Sequence, residues 1–361
     1  MGSQTPIPCC FMRGGTSRGP FFLATDLPQE IEKRDKVLLA AVGSPDPRQI
    51  DGLGGAHPLT SKVGIVKKSD DEGVDLEFLF AQLQPDSDKV DTKPNCGNML
   101  AAVVPFALER GVVKAKGETS TFRVLTINTG MLCDITVQTP GGVVEYSGNT
   151  AIDGVPGTAA PIKINFLDTA GSVCPGLLPT GKIQDTICGI NVTCIDNGMP
   201  MVIMHAQDMG VTGYETAAEL NQNGRLKQAL EELRLAASLQ MGLGDTKEKS
   251  YPKMCLISKP RQGGAINTRC FIPHVCHEAV GVLGAVTIAT ACVIKGSVCD
   301  GIAEVSQGLS RNISVEHPSG EFTIEITTDN DNNVTSASLL RTARLIMRGE
   351  LMVPNRLFAA N

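Results

Sequence analysis

The chain has no tryptophan and only three tyrosines in 361 residues, which leaves little with which to stack on bases or sugar rings. It also lacks a surplus of positive charge. Lys and Arg number 32 against 38 Asp and Glu, a net charge of −6, and nothing is left over to neutralise phosphates, so nucleic acid is excluded as a partner. No uninterrupted apolar run reaches the ~18 residues of a membrane span, and the opening MGSQTPIPCC lacks a signal-peptide core; no membrane partner is expected, and the cytoplasm is the expected compartment. Histidine is scarce too, at five residues. The one metal-like run, HVCH, places His274, Cys276 and His277 without a matching distant pair, and no metal site is expected.

What is present in quantity is glycine, at 38 residues, and cysteine, at 12. The cysteines form no short secreted framework, which reads as reduced thiols, most of them small buried hydrophobes. With 42% hydrophobic and 19% charged residues the composition is that of a globular protein, and the length suits two domains.

The two halves repeat an order of elements. RGGTSRGPFFLATD (13–26) is a glycine turn leading through Gly19 and Pro20 into an apolar strand. A helical spacing of Ile31, Val37, Leu38 and Ala41 follows and stops at Gly43. CIDNGMPMVIMHAQD (194–208) opens the same way at Pro200, again ahead of an amphipathic helix. Next come strand-like runs SKVGIVKKS and VDLEFLFAQL before PNCGNMLAAVVPFALERG in the first half. MCLISKP and AINTRCFIPH precede HEAVGVLGAVTIATACVIKG in the second. Both last segments are apolar all round, so both should be buried helices, the first kinked by Pro105. The reading is an α+β protein of two similar domains, 1–185 and 186–361, with termini free to cross between them and a cleft between the copies.

Cysteine 96 sits where the first buried helix should begin. Asn95 is a good N-cap residue, which would put the thiol beside unpaired N–H groups of Gly97, Asn98 and Met99 and the positive end of the helix dipole. Such a place lowers a thiol's pKa and suits a bound carboxylate. The ordinary alternative is a buried core cysteine. In DGLGGAHPLTSKVGIV (51–66) Lys62 stands at the mouth of a strand, where it acts as a base only if burial or nearby positive charge lowers its pKa; the bland alternative is a surface charge. In MRGGTSRG, Arg13 and Arg18 with Thr16 and Ser17 suit a carboxylate or phosphate, or make a plain surface turn. EHPSGEF reads as a turn into a strand, with ligand contact by His317 and Ser319 as the functional option.

Taken together, RGGTSRG, DGLGGAHPLTSK, PNCGNML, CIDNGMP and EHPSGEF resemble the PrpF family, within the diaminopimelate-epimerase-like fold, over nearly the whole chain. The resemblance implies two pseudo-symmetric domains, each a curled, mostly antiparallel sheet around a central helix, with the active site in the cleft and no metal or organic cofactor. It implies a catalytic pair of Lys62 and Cys96, with Ser61 among the substrate contacts. It also implies a small unsaturated tricarboxylate as substrate, by keto-to-enol tautomerisation of 4-oxalomesaconate in gallate degradation, or by the allylic isomerisation of aconitate or 2-methylaconitate found in other members. The epimerases of this fold use a second cysteine at the second central helix. Here the count is informative: Cys96 precedes Gly111 by 15 residues, and 15 before Gly296 is Gly281. Cys276 lies five residues too early, so stereoinversion is not expected.

Three classes therefore remain to be separated. They are a cofactor-independent isomerase, an amino-acid racemase needing a second thiol, and a silent anion-binding protein. An isologous homodimer is the default for oligomeric state.

Overall fold

The computed structural model describes residues 3–331 and 333–358. They fall into two compact units, divided at Leu167/Asp168 and again at Leu340/Arg341.

The first unit contains β1 (Gln4–Gly14), β2 (Ser17–Leu23), α1 (Ile31–Val42), β3 (Lys62–Lys68), β4 (Leu76–Leu83), β5 (Val90–Asp91), α2 (Gly97–Leu100), α3 (Val103–Glu109), β6 (Thr119–Thr126), β7 (Met131–Gln138) and β8 (Ile162–Phe166). The C-terminal strand Ala343–Pro354 returns to pair antiparallel with β1. From β1 onward the pairings run antiparallel to β2, parallel to β3, antiparallel to β4, parallel to β6, then antiparallel through β7 to β8. On one face α1 sets Val37, Leu38 and Ala41 against Ile7, Phe22, Val63 and Leu83. As the spacing predicts, α1 stops at Gly43, which takes a left-handed φ of 83°. The apolar segment 99–107 is buried throughout, with Phe106 packed on Phe21 at 5.7 Å between ring centroids.

That segment is not one kinked helix. It is α2, a break at Ala101–Ala102, and α3, with Pro105 in the first turn of α3. Proline has no N–H to give the carbonyl four residues back, which is Ala101, so the ladder opens one turn before the proline and not at it.

The second unit contains β9 (Asp185–Ile187), β10 (Ile190–Asp196), β11 (Pro200–His205), α4 (Ala217–Gln222), α5 (Gly224–Gln240), β12 (Lys253–Ser258), β13 (Ile266–Phe271), α6 (Val282–Val293), β14 (Ser310–His317), β15 (Gly320–Thr328) and β16 (Val334–Arg341), so the C-terminal strand is β17. From β10 the pairings again run antiparallel, parallel, antiparallel, parallel, antiparallel, antiparallel, through β11, β12, β13, β14 and β15 to β16. The duplicated order read from the sequence is present. All of 284–293 in α6 is buried, as an all-round apolar helix must be. On the other face α5 packs Leu226, Leu230 and Leu233 over Val202, Met204 and Leu256.

The division between units lies earlier than the expected 185/186. Residues 168–184 belong with the second unit because their loop is tied there: Asp196 accepts bonds from the Val173 and Cys174 amides and the Ser172 hydroxyl at 2.8–2.9 Å. The C-terminus crosses back because β17 completes the sheet at β1.

Candidate active site

Lys62 opens β3 and is 7% exposed. Directly across the ladder stands Gln82 of β4, whose carbonyl oxygen accepts from Lys62 Nζ at 2.6 Å. Gln82 is itself held by its amide nitrogen, which donates to the carbonyls of Pro58, Ser61 and Leu83 at 3.0, 3.3 and 2.8 Å. The ammonium lies 5.0 Å from the centroid of the Phe80 ring. Its remaining contact is the one of interest: Nζ donates to Cys96 Sγ at 3.8 Å. Gln82 is a partner that the sequence motifs do not single out, although a lone glutamine inside the apolar run LEFLFAQL is the available signal.

Cys96 is the N-cap of α2, with extended φ/ψ of −140°/98°, and is the one cysteine of intermediate exposure. Asn95 is therefore not the cap. Its Oδ1 accepts from the Cys96 amide at 3.1 Å, while its Nδ2 donates to Thr126 and Thr129 at 3.2 and 3.3 Å. It anchors the turn to β6 and leaves the capping position to the cysteine, whose carbonyl accepts the first helical bond, from Leu100. Asn98 is spent on the fold as well: Nδ2 donates to Thr16 Oγ1 at 2.9 Å, and Oδ1 accepts from Arg341 Nε at 3.1 Å. Met99 is fully buried, and only the backbone of this turn remains for a ligand.

Glycines 15 and 19 explain the spacing of RGGTSRG. Gly15, at φ +51°, presses on the Asn98 side chain, and Gly19 on the Lys62 carbonyl; a Cβ at either would overlap those atoms. The β1–β2 hairpin thus lies against Lys62 and against Asn98 in the turn that follows Cys96. Ser17 shares its strand face with Gly19, is 1% exposed, and its hydroxyl has no protein partner among the described residues. Ser61, expected to touch substrate, is occupied elsewhere. Its hydroxyl donates to His57 O at 2.8 Å and to Gln49 Oε1 at 3.0 Å, fixing the loop ahead of Lys62.

Arg13, Thr16, Ser17 and Arg18 line a cavity of about 810 Å³ together with Thr60, Ser147 and Arg344; Lys62 and Cys96 do not line it. His317 and Ser319 belong to the second unit, where Ser319 donates both its amide and its hydroxyl to Glu278 O at 3.0 and 2.7 Å and so holds the segment before α6. In that segment Gly281 is the N-cap of α6, the position held by Cys96 before α2, as the count from the closing glycines predicts. Cys276 is elsewhere. It is 2% exposed, bridged to Phe271, and burial pushes its thiol up to about 12. Among the described residues no three His, Cys, Asp or Glu side chains converge as metal ligands would, and no helix is long and apolar enough to cross a membrane.

Comparison with known proteins adds the following. The sequence model of the PrpF protein family matches residues 4–354. The chain is 52% identical over 350 residues, covering 97% of each, to the 4-oxalomesaconate tautomerase of Pseudomonas putida (strain KT2440). It is 53% identical over 346 residues, covering 96% of this chain and 97% of the other, to the (4E)-oxalomesaconate Delta-isomerase of Novosphingobium sp. (strain KA1). A crystal structure of methylitaconate-delta-isomerase superposes with a TM-score of 0.85 at 34% identity, covering 100% of this chain and 98% of that one.

Proposed function

The chain belongs to the PrpF family and is an isomerase, and from that premise we propose that it moves a proton within a small unsaturated tricarboxylate, the reading best supported being keto-to-enol tautomerisation of 4-oxalomesaconate in gallate degradation. The observation that carries the mechanism is the 3.8 Å approach of Lys62 Nζ, at the start of β3, to Cys96 Sγ, at the start of α2, 34 residues further along the chain. The substrate's C–H is acidified by conjugation with its carbonyl and carboxylates. With the pair as neutral amine and thiol, Lys62 takes that proton, giving a dienolate, and Cys96 returns one to the far end of the conjugated system or to oxygen; with the pair as ammonium and thiolate the roles exchange, Cys96 taking the proton and Lys62 returning one, for the same net change. Placed acid–base transfer supplies ~10²–10⁴-fold. The rest is left to stabilisation of the dienolate, to which the free Ser17 hydroxyl and the first-turn amides of α2 contribute. The second reading, a 1,3-allylic shift of the aconitate or 2-methylaconitate kind, uses the same pair and is favoured by the likeness to a methylitaconate-delta-isomerase.

The test is substrate-dependent exchange of solvent deuterium into the acid, followed by NMR, with 4-oxalomesaconate compared against aconitate and 2-methylaconitate. Exchange is expected in the wild type and in Cys276→Ala. It should fall at least a thousandfold in Lys62→Ala and in Cys96→Ala. Loss in Cys276→Ala as complete as in Cys96→Ala would replace the lysine–cysteine pair by a two-thiol mechanism, and no exchange in the wild type with any of the three would leave a binding protein.

A further inference from the structure

The sheet of the first unit ends on an open edge. β2 is flanked by β1 and β3, and β1 by β2 and β17, so among the described residues the far side of β17 carries no strand. An edge of this length invites a further strand unless something blunts it. The blunting here is confined to its ends. Ile346 is an extra residue between the pairs Met12–Leu345 and Phe11–Met347, a bulge, and the strand closes at Pro354. Between these, 347–353 runs in unbroken register with 5–11. The stretch 346–350 is exposed on both faces, and Ile346, Met347 and Met352 are 45%, 42% and 47% exposed.

Gly349, in the middle of this run, has no local reason to be glycine. Its φ lies outside the left-handed region, and a Cβ there would meet nothing within 4 Å. Glycine inside a strand weakens it and often marks the place where another backbone comes close. The charges beside it indicate which backbone. Glu350 has no hydrogen bond or ion pair among the described residues, and Arg348 reaches Glu109 at 3.3 Å with 60% of its side chain still exposed. A second β17 laid antiparallel about a two-fold axis through Gly349 sets Arg348 of each copy opposite Glu350 of the other, and Met347 opposite Leu351. An axis through residue 348 or 350 instead sets like charges face to face, which destabilises a strand pair. An axis through Met347 runs both copies through the bulge. The strand is complementary to itself in the register about Gly349.

We propose that β17 is the contact of an isologous dimer, in which a second copy of this chain adds its own β17 antiparallel about Gly349 and makes one sheet of two. Sedimentation velocity of the full chain over a micromolar range tests it. The wild type should give the mass of a dimer. Glu350→Arg and Arg348→Glu each turn both symmetry-related pairs from attraction to repulsion, so each variant alone should dimerise at least about tenfold more weakly. Mixed in equal amounts, the two variants again face opposite charges at both pairs, and dimerisation should return to within about threefold of the wild type. A folding defect in either variant could not be repaired by mixing. Added salt should weaken the wild-type dimer and strengthen the self-association of each variant. A wild type that stays monomeric, or single variants that dimerise as tightly as the wild type, would overturn the interface. A mixture that associates no better than its components would overturn the register about Gly349.

Discussion

The two central-helix starts share a plan and differ in every residue that carries chemistry. In each unit the N-cap is two residues ahead of a side chain on which a hairpin turn rests. In the first unit that turn is Gly15 upon Asn98, two after Cys96. In the second it is Gly198, at φ +94°, with Leu283, two after Gly281. The first start offers a thiol, an amide bonded to Thr16 and Arg341, and a lysine ammonium 3.8 Å away. The second offers glycine and leucine, and is locked from the helix side by Thr287 Oγ1 donating to the carbonyls of Asn197 and Met199 at 3.0 and 3.1 Å and by Asn197 Nδ2 donating to Thr290 at 2.7 Å. The socket recurs in both units, and the thiol with its neighbouring ammonium stands in one of them only. The helices match this division: α6 is an unbroken 12-residue rod, whereas α2 is four residues long before the chain breaks.

The largest effect that this contrast predicts, beyond loss of the pair itself, comes from the turn pressed against the reactive start. Gly15→Ala needs a left-handed φ and drives a methyl into an Asn98 side chain that Thr16 and Arg341 hold from moving. Together these costs come to about 3 kcal/mol. Urea unfolding should show that loss, with activity reduced further because Asn98 and Cys96 share a turn. Unchanged stability in Gly15→Ala would mean that the hairpin does not brace this start.

What can be read from the sequence follows the same line. Local signals suffice for α1 and its stop at Gly43 and for Lys62 as the first residue of a strand, because each depends on residues within about one helix length; Gly281 is reached by the count back from Gly296, which the family resemblance prompts. The pairing of Lys62 with Cys96 is available only through the family resemblance, since no local pattern says that two turns meet. Asn95 reads as the cap because capping propensity favours asparagine; the Thr126 and Thr129 hydroxyls that draw its side chain away are 31 and 34 residues distant. The role of Gln82 and the return of β17 to β1 depend on strand register, which composition does not encode.

Gln82 sharpens the comparison at an intermediate size. It touches Lys62 and is argued to act through it, so Gln82→Leu should lower kcat about tenfold, equivalent to ~1.4 kcal/mol in the barrier, with a smaller change in KM. Gln82→Glu keeps the acceptor but sets a carboxylate oxygen against the carbonyls of Pro58, Ser61 and Leu83 and favours the charged form of Lys62, so it should move the pH dependence of kcat upward, which Gln82→Leu should not. An unmoved pH profile in Gln82→Glu would make the residue a packing element of β4 instead.

The smallest effect belongs to the silent start. Gly281 sits at φ −68°, ψ 152°, a conformation open to any residue, and a Cβ there would meet nothing nearer than Lys253 Nζ at 3.7 Å, an ordinary contact. Gly281→Cys should therefore fold, with stability within about 1 kcal/mol of the wild type and on the favourable side if reduced freedom of the unfolded chain dominates. It places a thiol where the epimerases of this fold carry their second one, and the isomerase rate should stay within about threefold, because the proposed proton transfer never uses that position. A thermal melt and the deuterium-exchange assay on this one variant read both quantities. A collapse of the exchange rate with the melt unchanged would show that the second helix start takes part in the reaction, and the division of labour between the two copies would have to be redrawn.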